Sequence, residues 1–163
     1  MATIELVLSN RDVAGVLERA AHWKIPTVVF NRKDLYESST IRQLLLDKKI
    51  DLILLAGFLW LVPEPIIHAF EKKIINIHPA LLPGFGGKGY YGRNVHQAVI
   101  DSGTLMSGIT IHFVNDRFDE GEIIFQAACH ISKPDTADTL AEKIHALEYR
   151  YFPLVVEKML AFV

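Results

Sequence analysis

DLILLAGFLWLVPEPIIHAFEKKIINIH, Asp51 to His78, decides the fold class. DLILLAGF is an almost unbroken apolar run, the pattern of a parallel strand covered on both faces. Glu64 to Phe70 follows as a short helix, with Pro65 in its first turn, where a missing N–H is tolerated. KKIINIH is the next strand. Strand, helix and strand in this order form a β-α-β unit, which implies parallel neighbours. The second strand then breaks its own pattern. Asn76 and His78 are two residues apart and share a face, while Ile75 and Ile77 point the other way. NIHPALLP ends the strand with Pro79 and Pro83 close behind.

The same alternation precedes the unit. IELVLS reads as a strand, SNRD as a turn with Asp12 a plausible N-cap, and VAGVLERAAHW as a helix. PTVVF is a short strand, and STIRQLLLDKK a helix capped by Ser38 or Ser39. Beyond the unit, Leu82 to Gly92 is glycine-rich, and Val95 to Asp101 reads as a helix. SGITIHFVND and EIIFQAACHI read as a hairpin-like pair of strands joined by RFDEG. TLAEKIHALEYRYFPLVVEKML reads as one or two helices, interrupted near Pro153. The expected fold is α/β: a mostly parallel sheet with helices on both faces, C-terminal antiparallel strands and a C-terminal helix. Neither an internal repeat nor a linker marks a second domain, so residues 1–163 read as one.

Composition narrows the function classes. The chain has 163 residues, half of them hydrophobic, and a net charge of −2. That balance argues against a sequence-independent grip on nucleic acid, which needs a basic face. No apolar stretch approaches the ~20 residues of a membrane helix. The N-terminus has no basic region ahead of an apolar core, so the expected location is cytoplasmic. The single cysteine, Cys129, excludes an internal disulfide framework and a Cys-rich zinc site. Neither a G-x-S-x-G, a P-loop nor a G-x-G-x-x-G after a strand is present.

Open α/β sheets bind ligands at the carboxyl ends of their strands. Asn76, His78 and Phe58 all lie at such ends. Asn76 and His78 are therefore either the end of a core strand or two donors aimed at a substrate oxygen on which charge develops. Asp119, in RFDEG, is either a turn acid or a carboxylate beside His78 that raises its pKa and orients its ring. His22, His68, His96 and His145 fall on helices, where partly exposed positions are expected. His112 and His130 fall on strands and read as structural. No histidine pair has metal-binding spacing, so no metal is expected. GFGGKGYYGRN is either a surface loop or one that acts as a lid or helps bind phosphate through Lys88 and Arg93.

NIHPALLP, SGITIHFV and RFDEGEIIFQ, in that order, resemble the formyltransferase family that uses 10-formyltetrahydrofolate. VLSNRDVAGVLERA, DLILLAGFLWLVP and LEYRYFPLVV agree with it as well, so the resemblance runs from Ile4 to about Leu160. It is greatest with enzymes that formylate the amine of glycinamide ribonucleotide in purine (IMP) biosynthesis. The resemblance implies a Rossmann-like sheet and a catalytic trio of Asn76, His78 and Asp119. It implies a folate site built from Phe58, Leu59, Trp60, Leu61 and Val62, with Asn76 and the loop Asn115, Asp116, Arg117, Phe118 and Asp119 opposite. Arg32 or Lys33 would meet the folate's glutamate end. Ile77, His78, Pro79, His145 and Glu148 would contact the ribonucleotide.

The implied partners are that ribonucleotide and a reduced folate as co-substrate, without metal, nucleic acid or membrane, for a monomer or weak homodimer. The family opens with a further strand and a Gly/Ser-rich phosphate loop that have no counterpart before Ile4, so the domain reads as N-terminally truncated. The alternatives are a catalytically impaired folate-binding module, methionyl-tRNA formyltransferase, which usually adds an RNA-binding domain, and formyltetrahydrofolate deformylase. The deformylase typically carries two histidines where this chain has His78-Pro79.

Overall fold

The computed structural model describes residues 2–162. The chain divides into two compact units, Met1–Asp51 and Leu52–Val163. In the first, β1 (Val7–Ser9) runs parallel to β2 (Thr27–Val29), with α1 (Gly15–His22) as the crossover. Ala20, Phe30, Leu35, Ile41 and Leu45 are buried in this unit. Ala14, not Asp12, occupies the N-cap of α1, without a side-chain cap bond. After β2 the chain makes a π-helical turn, Lys33–Glu37, and then α2 (Thr40–Asp47). The π-helical turn has no periodic signature in so short a segment.

The second unit holds the deciding stretch. β3 (Ile53–Ala56), α3 (Glu64–Ala69) and β4 (Ile74–His78) form the expected β-α-β unit, with Leu55 opposite Asn76 in parallel register. After α4 (Arg93–Asp101), β5 (Met106–Phe113) pairs antiparallel to β4, and β6 (Ile123–His130) antiparallel to β5. The four strands lie in the order β3-β4-β5-β6. Ile75, Ile77, Ile109 and Ile111 form one face of this sheet and pack with Val99 of α4 and Leu140, Ile144 and Val155 of α5 (Ala137–Leu160).

Two expectations are corrected. The C-terminal segment is one uninterrupted helix of 24 residues with Pro153 inside it. Its apolar stripe of Leu140, Ile144, Leu147, Tyr151 and Val155 continues past the proline, so packing outweighs the one hydrogen bond lost there. The second correction concerns β3, the edge of its sheet, which is not covered on both faces. Leu54 stays 43% exposed, while Ile53 and Leu55 are partly buried, the alternation of a one-sided strand.

Candidate functional site

Strand pleating puts Asn76 and His78 on the sheet face opposite the isoleucine core. Their antiparallel partners on β5 are His112 and Thr110, so four polar side chains share one patch. His112 anchors its ring by donating from Nδ1 to the carbonyl of Phe113 at 2.8 Å. In the neutral ring Nε2 is an acceptor, and Asn76 Nδ2 donates to it at 3.1 Å. The other amide hydrogen of Asn76 faces Asp119 Oδ1 at 3.4 Å. His112 is thus a buried strand residue, as expected, and it also holds the Asn76 amide. The signal for it was its spacing from Thr110, which places it beside Asn76 only once β5 is known to pair with β4.

Asp119 reaches this patch from the turn between β5 and β6. Its backbone is left-handed, with φ 57°, uncommon for any residue but glycine. A Cβ on Gly121 would collide with the Phe113 carbonyl, so the turn closes this tightly only with glycine there. The carboxylate accepts from Gly87 N–H at 2.9 Å and lies 3.5 Å from His78 Nδ1 and 3.6 Å from His112 Nε2. Burial pushes the Asp119 carboxyl up, but the His112 ring, the Gly87 N–H and the charge of His78 outweigh it and hold the group below its ordinary range.

The glycine-rich loop closes the other side of His78. His78 Nε2 donates to the carbonyl of Phe85 at 2.7 Å, and Phe85 is also left-handed, with φ 54°. Both groups that face the ring nitrogens of His78 therefore come from strained loop residues. A Cβ on Gly86 would press on Leu82 and approach Asp119 to 3.3 Å, which explains a glycine at this point of the loop. Burial lowers the His78 pKa, against the raising effects of Asp119 and the Phe85 carbonyl. The expected net rise from a neighbouring acid is thus overturned by desolvation. In either charge state Nε2 carries the proton, because it meets a carbonyl.

The exit from β4 is held by hydrogen bonds as well as by prolines. Thr110 Oγ1 accepts from Leu82 N–H at 2.9 Å and donates to Ala80 O at 2.7 Å. Gln126 Nε2 bonds both Thr110 Oγ1 and Leu82 O, at 2.9 and 3.0 Å.

The remaining sequence candidates are placed as follows. Phe58 to Val62 leave the carboxyl end of β3, with Phe58 and Trp60 in edge contact at 6.1 Å and Val62 buried. Asn115 Oδ1 caps Arg117 N–H at 3.0 Å, and Asp116, Arg117 and Phe118 are exposed on the turn that ends at Asp119. A cavity of about 610 Å³ beside Asp119 is lined by Leu82, Pro83, Gly86, Phe118 and Ile123. Ile77 is turned into the core, so only its backbone is open to a ligand, and Pro79 is half-buried. Glu148 on α5 is half-buried, and burial raises its pKa against the pull of His145, which is exposed. Arg32 and Lys33 belong to the first unit, with the Arg32 guanidinium 5.8 Å from the Tyr36 ring centre. His96 departs from expectation: it is buried, not partly exposed. Among the described residues, no group of three or more His, Cys, Asp or Glu is arranged to hold a metal ion. None of the helices among them is long and apolar enough to cross a membrane.

The sequence model of the formyl transferase family matches residues 1–156. The chain is 41% identical over 158 residues to chloroplastic phosphoribosylglycinamide formyltransferase of Arabidopsis thaliana, covering 94% of this chain and 54% of that protein. It is 34% identical over 163 residues to phosphoribosylglycinamide formyltransferase of Bacillus subtilis (strain 168), covering 98% and 81%. The crystal structure of phosphoribosylglycinamide formyltransferase from Bacillus halodurans superposes with a TM-score of 0.86 at 34% identity, covering 97% of this chain and 81% of that one. The chain spans about half the length of the plant relatives it matches, 54% and 51%.

Proposed function

The chain belongs to the formyl transferase family, and from that premise we infer that it transfers the formyl group of 10-formyltetrahydrofolate to the amine of glycinamide ribonucleotide. The observation that carries this reading is the meeting of Asn76, His78 and Asp119 within 3.4 to 3.5 Å on one face of the sheet. His78 Nε2–H, now held by Phe85 O, is the donor an incoming formyl oxygen would take over. Asn76 would add a second donor by giving up its longer bond, the 3.4 Å contact to Asp119. Two donors aimed at an oxygen gaining charge lower the barrier for attack by the amine. Asp119, 3.5 Å from Nδ1, orients the His78 ring and favours its protonated form while it holds the oxyanion. The amine's proton then leaves toward the departing folate nitrogen.

In this reading Phe58 to Val62 hold the flat pteridine, with Asn115 to Asp119 opposite and the cavity beside Asp119 open to the same ligand. Arg32 or Lys33 meets its glutamate end. Pro79, His145, Glu148 and the Ile77 backbone take the ribonucleotide. Residues 1–163 act as one domain, a cytoplasmic monomer or weak homodimer without metal, membrane or nucleic acid. The test is a formyl-transfer assay on the purified chain with both substrates. Formylated ribonucleotide and tetrahydrofolate should appear in equal amounts, and product formed only as free formate would reject the transferase reading.

A further inference from the structure

One buried histidine has no part in the chemistry above. His96, on α4, is 4% exposed, between Val95 and Val99, which are fully buried. Its Nδ1 finds no hydrogen-bond partner among the described residues. Leaving a buried polar atom unpaired costs on the order of 1–3 kcal/mol, so such an atom calls for an explanation. Burial lowers the pKa of His96, and the charges of His145 and His78 lower it further. These effects favour the neutral ring, in which one nitrogen is an acceptor, and they place His96 near two site residues. Glu148, beyond His145 on α5, is a half-buried carboxyl whose pKa burial pushes up against the pull of His145. A neutral imidazole with a spare lone pair and a reluctant carboxyl are both relieved by one kind of ligand, a group rich in N–H. A phosphate would relieve neither.

We propose that His96 is a binding residue for the amine substrate, its Nδ1 accepting a hydrogen bond from the substrate's amine or adjacent amide N–H, directly or through one water. The inference rests on the transferase reading above and deepens it. α4 follows directly on the glycine-rich loop, which has left-handed backbone at Phe85, Gly87, Gly89 and Gly92. When an incoming oxygen replaces Phe85 O on His78, that loop loses a tie, and the start of α4 gains freedom to open Nδ1 to the ligand. His96 thereby becomes the acceptor on the amine side of the bond being made, as His78 is the donor on the oxygen side.

The test compares His96→Leu with His96→Asn, whose short amide places a polar atom near the position of Nδ1. His96→Leu should raise KM for glycinamide ribonucleotide about tenfold, the loss of one hydrogen bond, with the KM for 10-formyltetrahydrofolate within twofold. His96→Asn should recover most of the loss. A purely structural histidine predicts instead that His96→Leu melts higher, having lost an unpaired polar atom, with both KM values unmoved. That outcome overturns the inference. If His96→Leu does not fold, His96→Asn is set against His96→Gln, whose amide mimics Nε2. The first should keep the ribonucleotide KM and the second lose it, and equal values overturn the proposal. Wild-type protein that neither binds nor formylates the ribonucleotide overturns the transferase reading and this inference together. Wild-type turnover with unchanged KM in the variants overturns this inference alone.

Discussion

Asn76, His78, Thr110 and His112 stand on paired strands, whereas Phe85, Gly87 and Asp119 reach the same site from loops. The strand residues are placed by the register of β4 on β5, in which Asn76 faces His112 and His78 faces Thr110. A one-residue slip would turn all four into the isoleucine core, so burial of that core enforces their direction. The loop residues have no ladder. Phe85 and Asp119 hold left-handed backbone, at about 1–2 kcal/mol each, and bond to the strand residues His78 and Asn76. The donors His78 and Asn76 therefore stand on the rigid strands, and two of the acceptors that face them, Phe85 O and Asp119, on loops.

The largest effect should follow from removing the strand-borne donor. His78→Ala should lower turnover by ~10³-fold or more and leave folate binding within a few-fold, read by steady-state assay and direct titration. Turnover surviving within a few-fold would show that the strand side does not carry the chemistry. Asp119→Asn keeps the shape of the loop side and removes its charge. Turnover should fall about 10²-fold, and the His78 pKa should drop below its wild-type value, because its main raising neighbour is gone. An NMR titration of His78 reads this, and an unmoved pKa would contradict the pairing.

Thr110→Val tests the tie between the halves. It strips the bonds to Leu82, Ala80 and Gln126 from a side chain with 0% exposure. A loss of about 2 kcal/mol is expected, or roughly 4–8 °C in Tm for a chain of this size. An unchanged Tm would leave the restraint on the exit to Pro79, Pro83 and the Gln126 bond to Leu82 O. The smallest effect is on stability against pH. His78 and His96 both titrate below 6.5 in the folded chain. Between those lowered values and 6.5 the unfolded chain binds more protons, so stability is complete above 6.5 and declines as pH falls. Melting at pH 5.5 should come earlier than at pH 8, and His96→Leu should shrink the difference.

Much of this was legible in one dimension. Alternation in KKIINIH put Asn76 and His78 on one face, and the apolar runs on either side of α3 implied parallel strands. Ordered motifs then pointed to Asp119. His112 and His96 were not legible. A strand histidine and a helix histidine look alike in sequence whether they face a site, the core or water. Pro153 misled because local propensity favours a break, while the apolar stripe that overrides it is felt only against α4, β5 and β6. The fall in the His78 pKa was hidden for a related reason: an acid neighbour can be read from a motif, but the depth of burial cannot.

By itself the sequence determined the periodicities, and with them the elements, the strand faces and the family. Those properties depend on residues a few positions apart, and local sterics and side-chain alternation settle them. Only the tertiary structure decided which acceptors hold His78, that His112 steers Asn76, and that His96 Nδ1 lies buried without a hydrogen-bond partner among the described residues. Those are contacts between segments distant along the chain, and their energies depend on distance and desolvation, which exist only once the chain has folded.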